Sequence, residues 1–385
     1  MKLTIKRTEF LKLLTYAAQA IPSRSAENQF LNYLIEVEEN KVSVIASDGN
    51  ISTKASVEQK DNKGNDVIIN ATPGLIQTPA KYLLEMISKL SGDIITLDMV
   101  DTNYLNISDD VTDFNLVTKD GRQYPDVDLN IPEDAKGIKV SITDLKNLFD
   151  TTSFAVAVKG PKELFYGINI SANDGKLTFL ATDSYRVARL SIPEENENAS
   201  FTFTCPVKAI DMVTRVDASQ EVEIFFDEQR ALFVAGNIIL STRLLRGDFP
   251  SVDRLIPPEF PYQVKVNREE FLSAAERVRI ISSVEDRNSL VKFTLHKENG
   301  VTLSARSANF GNSQEKLKKV VVTLPEEVNV FEIGFNVEFV LDAVKALRSE
   351  EVTFVFASPT RMFMLKNDNP NNTQIVTPIR LASTI

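Results

Sequence analysis

One hairpin, written three times, constrains this chain more than any other feature. Its clearest copy is Leu177 to Ile192, LTFLATDSYRVARLSI, in which two strand-like runs flank a polar corner at Thr182-Asp183-Ser184-Tyr185. On the outgoing run Ala188, Leu190 and Ile192 point one way and Val187, Arg189 and Ser191 the other, which is the period of a half-buried strand. An earlier copy, Val42 to Val57, reads VSVIASDGNISTKASV and turns at Asp48-Gly49, the strongest short hairpin signal. A fainter copy, VTLSARSANFGNSQEKL, runs from Val301 to Leu317. Three copies of one hairpin mark an internal repeat.

The elements around the hairpins recur in one order. Leu3 and Ile5 alternate with polar residues, and Thr8 is placed to cap a helix with Phe10, Leu13, Leu14 and Ala17 on one face. Thr78-Pro79 reads as a cap followed by proline at the first helical position, with Leu83, Met86, Ile87 and Leu90 as the apolar stripe. Strands follow at Ile94 to Met99 and Asp113 to Thr118. The second round repeats this: a strand at Val140 to Ile142, a helix carrying Leu145, Leu148 and Phe149, the organising hairpin, a helix over Pro206 to Val213 and further strands. In the third round a helix runs from Glu270 to about Ile281, and Asn336 caps another whose Val340, Val344 and Leu347 share a face.

Gly121-Arg122-Gln123-Tyr124-Pro125 and Gly247-Asp248-Phe249-Pro250 close the first two rounds and read as interdomain links. The expected domains are therefore 1–128, 129–254 and 255–385, each roughly 125 to 130 residues, an ordinary domain size. One-sided helices packed on one face of the sheets make each domain α+β.

Chemistry is sparse. The only histidine, His296, has no second histidine or nearby cysteine to share a metal. The only cysteine, Cys205, rules out an intrachain disulfide, favours a reducing cytoplasm and reads as a small buried side chain. Asp109-Asp110 and Glu194-Glu195 lie in polar loops and read as solvated. There is no phosphate-binding or dinucleotide glycine motif, so no cofactor is expected. No run of about 18 apolar residues is present, so no membrane helix is expected, and the N-terminal MKLTIKRTEF lacks the apolar segment of a signal peptide.

The formal net charge of −10 argues against a protein that coats nucleic acid. Yet basic residues fall on or near the helices of all three rounds: Lys6, Arg7, Lys12, Lys81, Lys89, Lys208, Arg215, Arg277, Arg279, Lys345 and Arg348. Separation of charge onto one side lets an acidic protein face DNA phosphates. Two other readings remain open on the residues alone: an enzyme on a repeated α+β scaffold that works through carboxylates, and a monomeric peptide-binding scaffold.

Four stretches in order, on a threefold repeat, resemble the bacterial DNA polymerase III beta subunit family, the beta sliding clamps. They are Ala181-Thr182-Asp183-Ser184-Tyr185-Arg186-Val187-Ala188, Arg246-Gly247-Asp248-Phe249-Pro250-Ser251-Val252, Gly334-Phe335-Asn336 through Leu347, and Pro378-Ile379-Arg380-Leu381. The resemblance spans the chain. It implies three similar clamp domains, sheets outside and helices inside, in a head-to-tail dimeric ring that encircles duplex DNA without sequence preference. It implies no enzyme activity.

The implied partners are a second copy of the chain, the replicative polymerase, an ATP-driven clamp loader and other proteins with a clamp-binding motif. By the same resemblance, the partner-peptide pocket is Phe165, Thr182, Ser184, Tyr185, Arg186, Val187, Pro250, Arg254, Leu255, Asn336, Phe339, Val376, Pro378, Ile379, Arg380 and Leu381. Arg24, Lys159 and Lys162 match DNA contacts, and Phe114 and Leu116 with Ile280 and Ile281 match the dimer contact. Ser184-Tyr185 departs from the Gly-His common in the family, Thr377 stands where methionine is frequent, and Ala382 to Ile385 extend past the usual end and read as a frayed tail without a role, with folding back over the pocket as the alternative.

Overall fold

In the computed structural model every α-helix among the described residues grows straight out of a strand. The described residues are 1–101, 103–131, 136–196, 199–216, 221–283 and 289–381. Lys2–Lys6 runs into α1 (Arg7–Ala17), Gly74–Pro79 into α2 (Ala80–Lys89) and Lys136–Ser141 into α3 (Ile142–Thr152). Phe201–Pro206 runs into α4 (Val207–Thr214), Tyr262–Asn267 into α5 (Arg268–Ser282) and Val330–Asn336 into α6 (Val337–Leu347). At least three strands follow each helix, so each round of the sequence is two copies of one smaller module.

The strand's last residue serves as the helix N-cap. Asn336 accepts hydrogen bonds from the Glu338 and Phe339 N–H groups, Asn267 accepts from Glu270, and Ser141 accepts from Asp144. Each satisfies donors that a helix start leaves without partners. This geometry corrects three expected boundaries. Lys6, not Thr8, is the N-cap of α1. Thr78 lies opposite Tyr33 inside a strand, and Pro79 ends that strand as the N-cap of α2 instead of opening the helix. Pro206 likewise ends a strand, opposite Gly167. In each case a strand partner distant in sequence outweighs the local cap signal.

The chain forms two compact units. The first comprises 1–145 and 208–244. It holds a five-stranded sheet, ordered Ile68–Thr72, Lys2–Lys6, Ile94–Met99, Tyr104–Ser108, Asp113–Val117, and a nine-stranded sheet. All recorded strand pairs in both sheets are antiparallel. The nine-stranded sheet is continuous because Ile51–Glu58, the outgoing arm of the first hairpin, pairs with Ile238–Arg243. Helix α1 packs against α2 and the hairpin, burying Phe10, Leu13 and Leu14.

The second unit comprises 146–207 and 245–385. Here Arg186–Pro193 pairs with Asn372–Val376, again giving a nine-stranded sheet, and Gly311–Leu317 to Pro378–Ile379 bound a five-stranded one. Helices α5 and α6 pack together over a core rich in phenylalanine: Phe271, Phe293, Phe335, Phe354, Phe356 and Phe363 are all fully buried, with neighbouring rings 5.0–6.3 Å apart. Such aromatic pairs add to area burial. The strands of the second repeat are thus shared between units, because its hairpin and its later strands each extend a different nine-stranded sheet.

Candidate functional site

The turn of the hairpin corner at Thr182–Arg186 is closed by its own side chains. The Thr182 hydroxyl donates to the Arg186 carbonyl (2.7 Å) and accepts from the Ser184 N–H (3.1 Å). Asp183 Oδ1 accepts from the N–H groups of Tyr185 (2.9 Å) and Arg186 (3.0 Å). Short polar side chains that capture the backbone two and three residues on are the usual makers of such turns. The bonds force Ser184 to φ +81°. A side chain there costs roughly 1–2 kcal/mol, against about 0.5–1 kcal/mol of extra unfolded-chain entropy for glycine. Ser184→Gly is therefore expected to raise stability by about 0.5–1 kcal/mol, read as a higher denaturant midpoint at unchanged slope.

The corner presents Tyr185 outward. Tyr185 is 62% exposed, and its ring stacks on Phe339, centroids 6.4 Å apart and planes at 28°. Beside it the Arg186 guanidinium lies 4.6 Å from the Phe339 ring centroid and 5.3 Å from that of Phe154. It also pairs with Asp183 (3.0 Å) and with Asp342 of α6 (2.6 Å), leaving the side chain 12% exposed. Cation–π contacts strengthen when desolvated, and charge-assisted bonds are the strong ones. Arg186 therefore pins the corner to α6, whose N-terminus is fixed by the Asn336 cap. Phe165 is buried edge-on against Phe249 at 5.8 Å, with the Lys162 ammonium 5.2 Å over its ring.

An apolar cluster lies next to this frame. Val187 sits opposite Ile375, and together with Val252, Val355 and Met364 they form a buried cluster edged by Ile256, Phe260 and Met362. Val376 belongs instead to the main phenylalanine core, on the other side of the sheet from Ile375. Leu255, 44% exposed, lies on the turn Asp253–Leu255, while Pro250 and Arg254 are exposed. Pro378 and Ile379 pair with Phe335 and Gly334. A Cβ on Gly334 would lie 2.6 Å from the Ile379 carbonyl and 2.8 Å from Leu381, so only glycine admits the terminal segment this closely. Arg380 is exposed. Residues 382–385 lie outside the described residues.

The sequence reading did not single out Ile375, Met364, Met362 and Phe260, which pack in or against this cluster. Ile375-Val376 is an apolar pair on a strand, and only the register against Val187 says which one joins its cluster.

The other expected residues are dispersed. Arg24 and Lys159 are exposed, with no ion pair among the described residues. Most helix cations are paired: Lys12 with Glu9, Lys208 with Asp48, Arg215 with Asp211, Arg277 with Glu315, Arg279 with Glu338, Lys345 with Glu276 and Arg348 with Asp150. Lys81 and Lys89 have no ion pair among the described residues. Phe114 and Leu116 lie on the sheet-edge strand Asp113–Val117, Leu116 already buried at 8% exposure. Ile280 is 66% exposed on α5, whereas Ile281 packs against its own core.

Asp109 accepts hydrogen bonds from the N–H groups of Ser91, Gly92, Val111 and Thr112. Those donors hold its carboxyl well below the usual carboxylate range, so it ties two turns together. Burial pushes the Cys205 thiol up and keeps it protonated.

Residues 1–128, 139–251 and 253–380 match, in order, the N-terminal, central and C-terminal domains of the DNA polymerase III beta subunit. The beta sliding clamp of Staphylococcus epidermidis is 30% identical over 383 residues, covering 99% of both chains. The crystal structure of the DNA polymerase sliding clamp from Bacillus subtilis superposes with a TM-score of 0.92 at 26% identity, over 99% of this chain and 100% of that one. The beta subunit from the DNA polymerase of Streptococcus pyogenes superposes with a TM-score of 0.91, also at 26% identity, over the same shares.

Proposed function

We propose, from the premise that this chain belongs to the DNA polymerase III beta subunit family, how its own residues divide the work of a clamp. It is a DNA sliding clamp, a non-enzymatic processivity factor that binds DNA, polymerase and other clamp-binding partners and forms homodimers. In this family two chains close a head-to-tail ring, with sheets outside and helices lining the hole. We assign clamp domains to 1–128, 129–254 and 255–385, a division supported by the three ordered family matches. The ring works around cytoplasmic DNA and is opened by an ATP-driven loader.

The partner-peptide pocket is the surface between the Tyr185 corner, Leu255 and the terminal segment Pro378 to Leu381. The observation that carries this reading is the Arg186 lock: a guanidinium held by two carboxylates and two rings beside an apolar cluster. A rigid polar frame around apolar anchors suits a short peptide, because little ordering is left to be done on binding. A labelled peptide of a glutamine followed by aliphatic and aromatic residues is expected to bind saturably in fluorescence anisotropy; a flat titration would contradict the assignment.

Arg24, Lys159 and Lys162 contact DNA phosphates. Such contacts carry no sequence information, as sliding requires. Most helix cations are already paired with carboxylates, and an exposed pair is worth only about 0–1 kcal/mol, so phosphates exchange with those partners easily. Binding to linear DNA is expected to be weak and to fall steeply with salt. Neutralising all three residues should reduce loading and flatten that salt dependence; an unchanged slope would contradict the contact.

A further inference from the structure

We infer that the first repeat carries a second binding site, for a hydrophilic peptide segment bearing a basic side chain, in the cavity beside the Asp48-Gly49 corner. The frame is the same as at Tyr185. Ser47 Oγ accepts from the Gly49 N–H (3.0 Å), and Asp48 Oδ1 accepts from the N–H groups of Asn50 (2.9 Å) and Ile51 (2.7 Å). Gly49 sits at φ +88°, as Ser184 sits at +81°. The Asn50 carbonyl accepts from the Arg243 N–H (3.0 Å), as the Tyr185 carbonyl accepts from the Thr377 N–H (2.9 Å). Phe30 meets Tyr124 edge-on at 6.3 Å, as Phe165 meets Phe249 at 5.8 Å. The repeat therefore builds the same corner and the same aromatic pair in both places.

What differs is the lining. The cross-strand pair Val187/Ile375 is replaced by Ser52/Ser241, and Tyr185 by Asn50. Ser52 shares a hydroxyl–hydroxyl bond with Ser47 (2.8 Å). The cavity measures about 400 Å³, within the usual range for a ligand site. Its polar walls would set an aliphatic side chain against carboxylate, guanidinium and hydroxyl groups, which would lose water without gaining a partner.

Charge selects the occupant. Arg230 is engaged by Asp128 and Asp227 and by the carbonyls of Asp128 and Asn130. Glu27 and Asp126 line the cavity with no side-chain partner among the described residues, and so does Arg243. The surplus is one negative charge. A lysine or arginine side chain answers the two carboxylates, while the Arg243 guanidinium donates to the segment's main-chain carbonyls.

The comparison with Tyr185 rests on the peptide-pocket reading, but the cavity and its lining stand independently, and the test separates the two. The probe is a fluorescein-labelled, amidated peptide of glutamine and serine with a single central lysine, followed by anisotropy on the full chain. It is expected to bind saturably, and Glu27→Gln with Asp126→Asn is expected to weaken it about tenfold. Leu255→Asp with Ile379→Asp should leave it unchanged, and Ser52→Leu, which fills the cavity, should abolish it. Circular dichroism melting checks that each variant is folded. No saturable binding up to millimolar peptide, or equal binding by Glu27→Gln with Asp126→Asn, would overturn the inference. Loss in the Leu255→Asp, Ile379→Asp chain would overturn it too, while retaining the pocket at Tyr185.

Discussion

Leu255→Asp combined with Ile379→Asp is expected to weaken a clamp-binding peptide by on the order of 100-fold while the chain stays folded. Burying one aliphatic side chain is worth about 1.5–3 kcal/mol, and each 1.4 kcal/mol is tenfold in affinity. A carboxylate in place of either anchor must also be desolvated by the incoming peptide, which adds to the loss. The fold should tolerate both changes. Leu255 is 44% exposed on a turn outside the phenylalanine core, and Ile379 is half-buried in a two-residue strand at a sheet edge. Anisotropy with the glutamine-led peptide reads the affinity, and the thermal midpoint reads the fold. Undiminished affinity in the folded variant would remove the pocket from this surface.

Ile280→Asp is expected to give a folded monomer. Ile280 is 66% exposed on α5 and matches the family's dimer contact, so its side chain is free to be covered by a second copy. Ile281 packs against its own core, so charging it would confound assembly with folding. We assign the other side of the joint to the Asp113–Val117 edge. Leu116 is already covered within its own unit, so half-buried Phe114 and Val117, 56% exposed, offer more of the contact area. An unpaired sheet edge of this kind is normally protected, and ring closure is one way to protect it. A closed dimeric ring has two joints, so one substitution is felt twice. With about 1.5–3 kcal/mol lost from each buried isoleucine, and a carboxylate desolvated, dissociation should rise by on the order of 100-fold or more. Light scattering should then report 43.0 kDa instead of twice that mass. A persistent dimer would move the joint elsewhere.

The sequence is legible where local chemistry agrees with the final structure. The Asp48 and Asp183 turns, the Asn336 cap and the one-sided helices all follow from nearby residues. The strand-to-helix junctions are less legible. Thr8, Thr78 and Pro79 look like helix starts, but their strands have partners far along the chain that extend each strand to the helix itself. The same distance hides the site's electrostatics. Arg186 meets Asp342, and Arg277 and Arg279 meet Glu315 and Glu338, across separations that no local pattern encodes. The sequence shows that the helices carry cations, but not that Arg277 and Arg279 already have carboxylate partners. The packing of Val376 and Ile375 is hidden for a third reason: an apolar pair masks the period of two, and only the register against Val187 shows that Ile375 joins its cluster while Val376 joins the phenylalanine core.

The most direct measurement is retention on DNA of defined topology. The chain is loaded by its clamp loader onto a nicked circular plasmid, freed of unbound protein at moderate salt, and then followed as the plasmid is cut once. A ring that encircles DNA and reads only phosphates stays on the circle and runs off the ends within minutes of linearisation. Equal retention on circular and linear DNA would mean that the protein grips DNA by direct contact, and would contradict the clamp account at its centre.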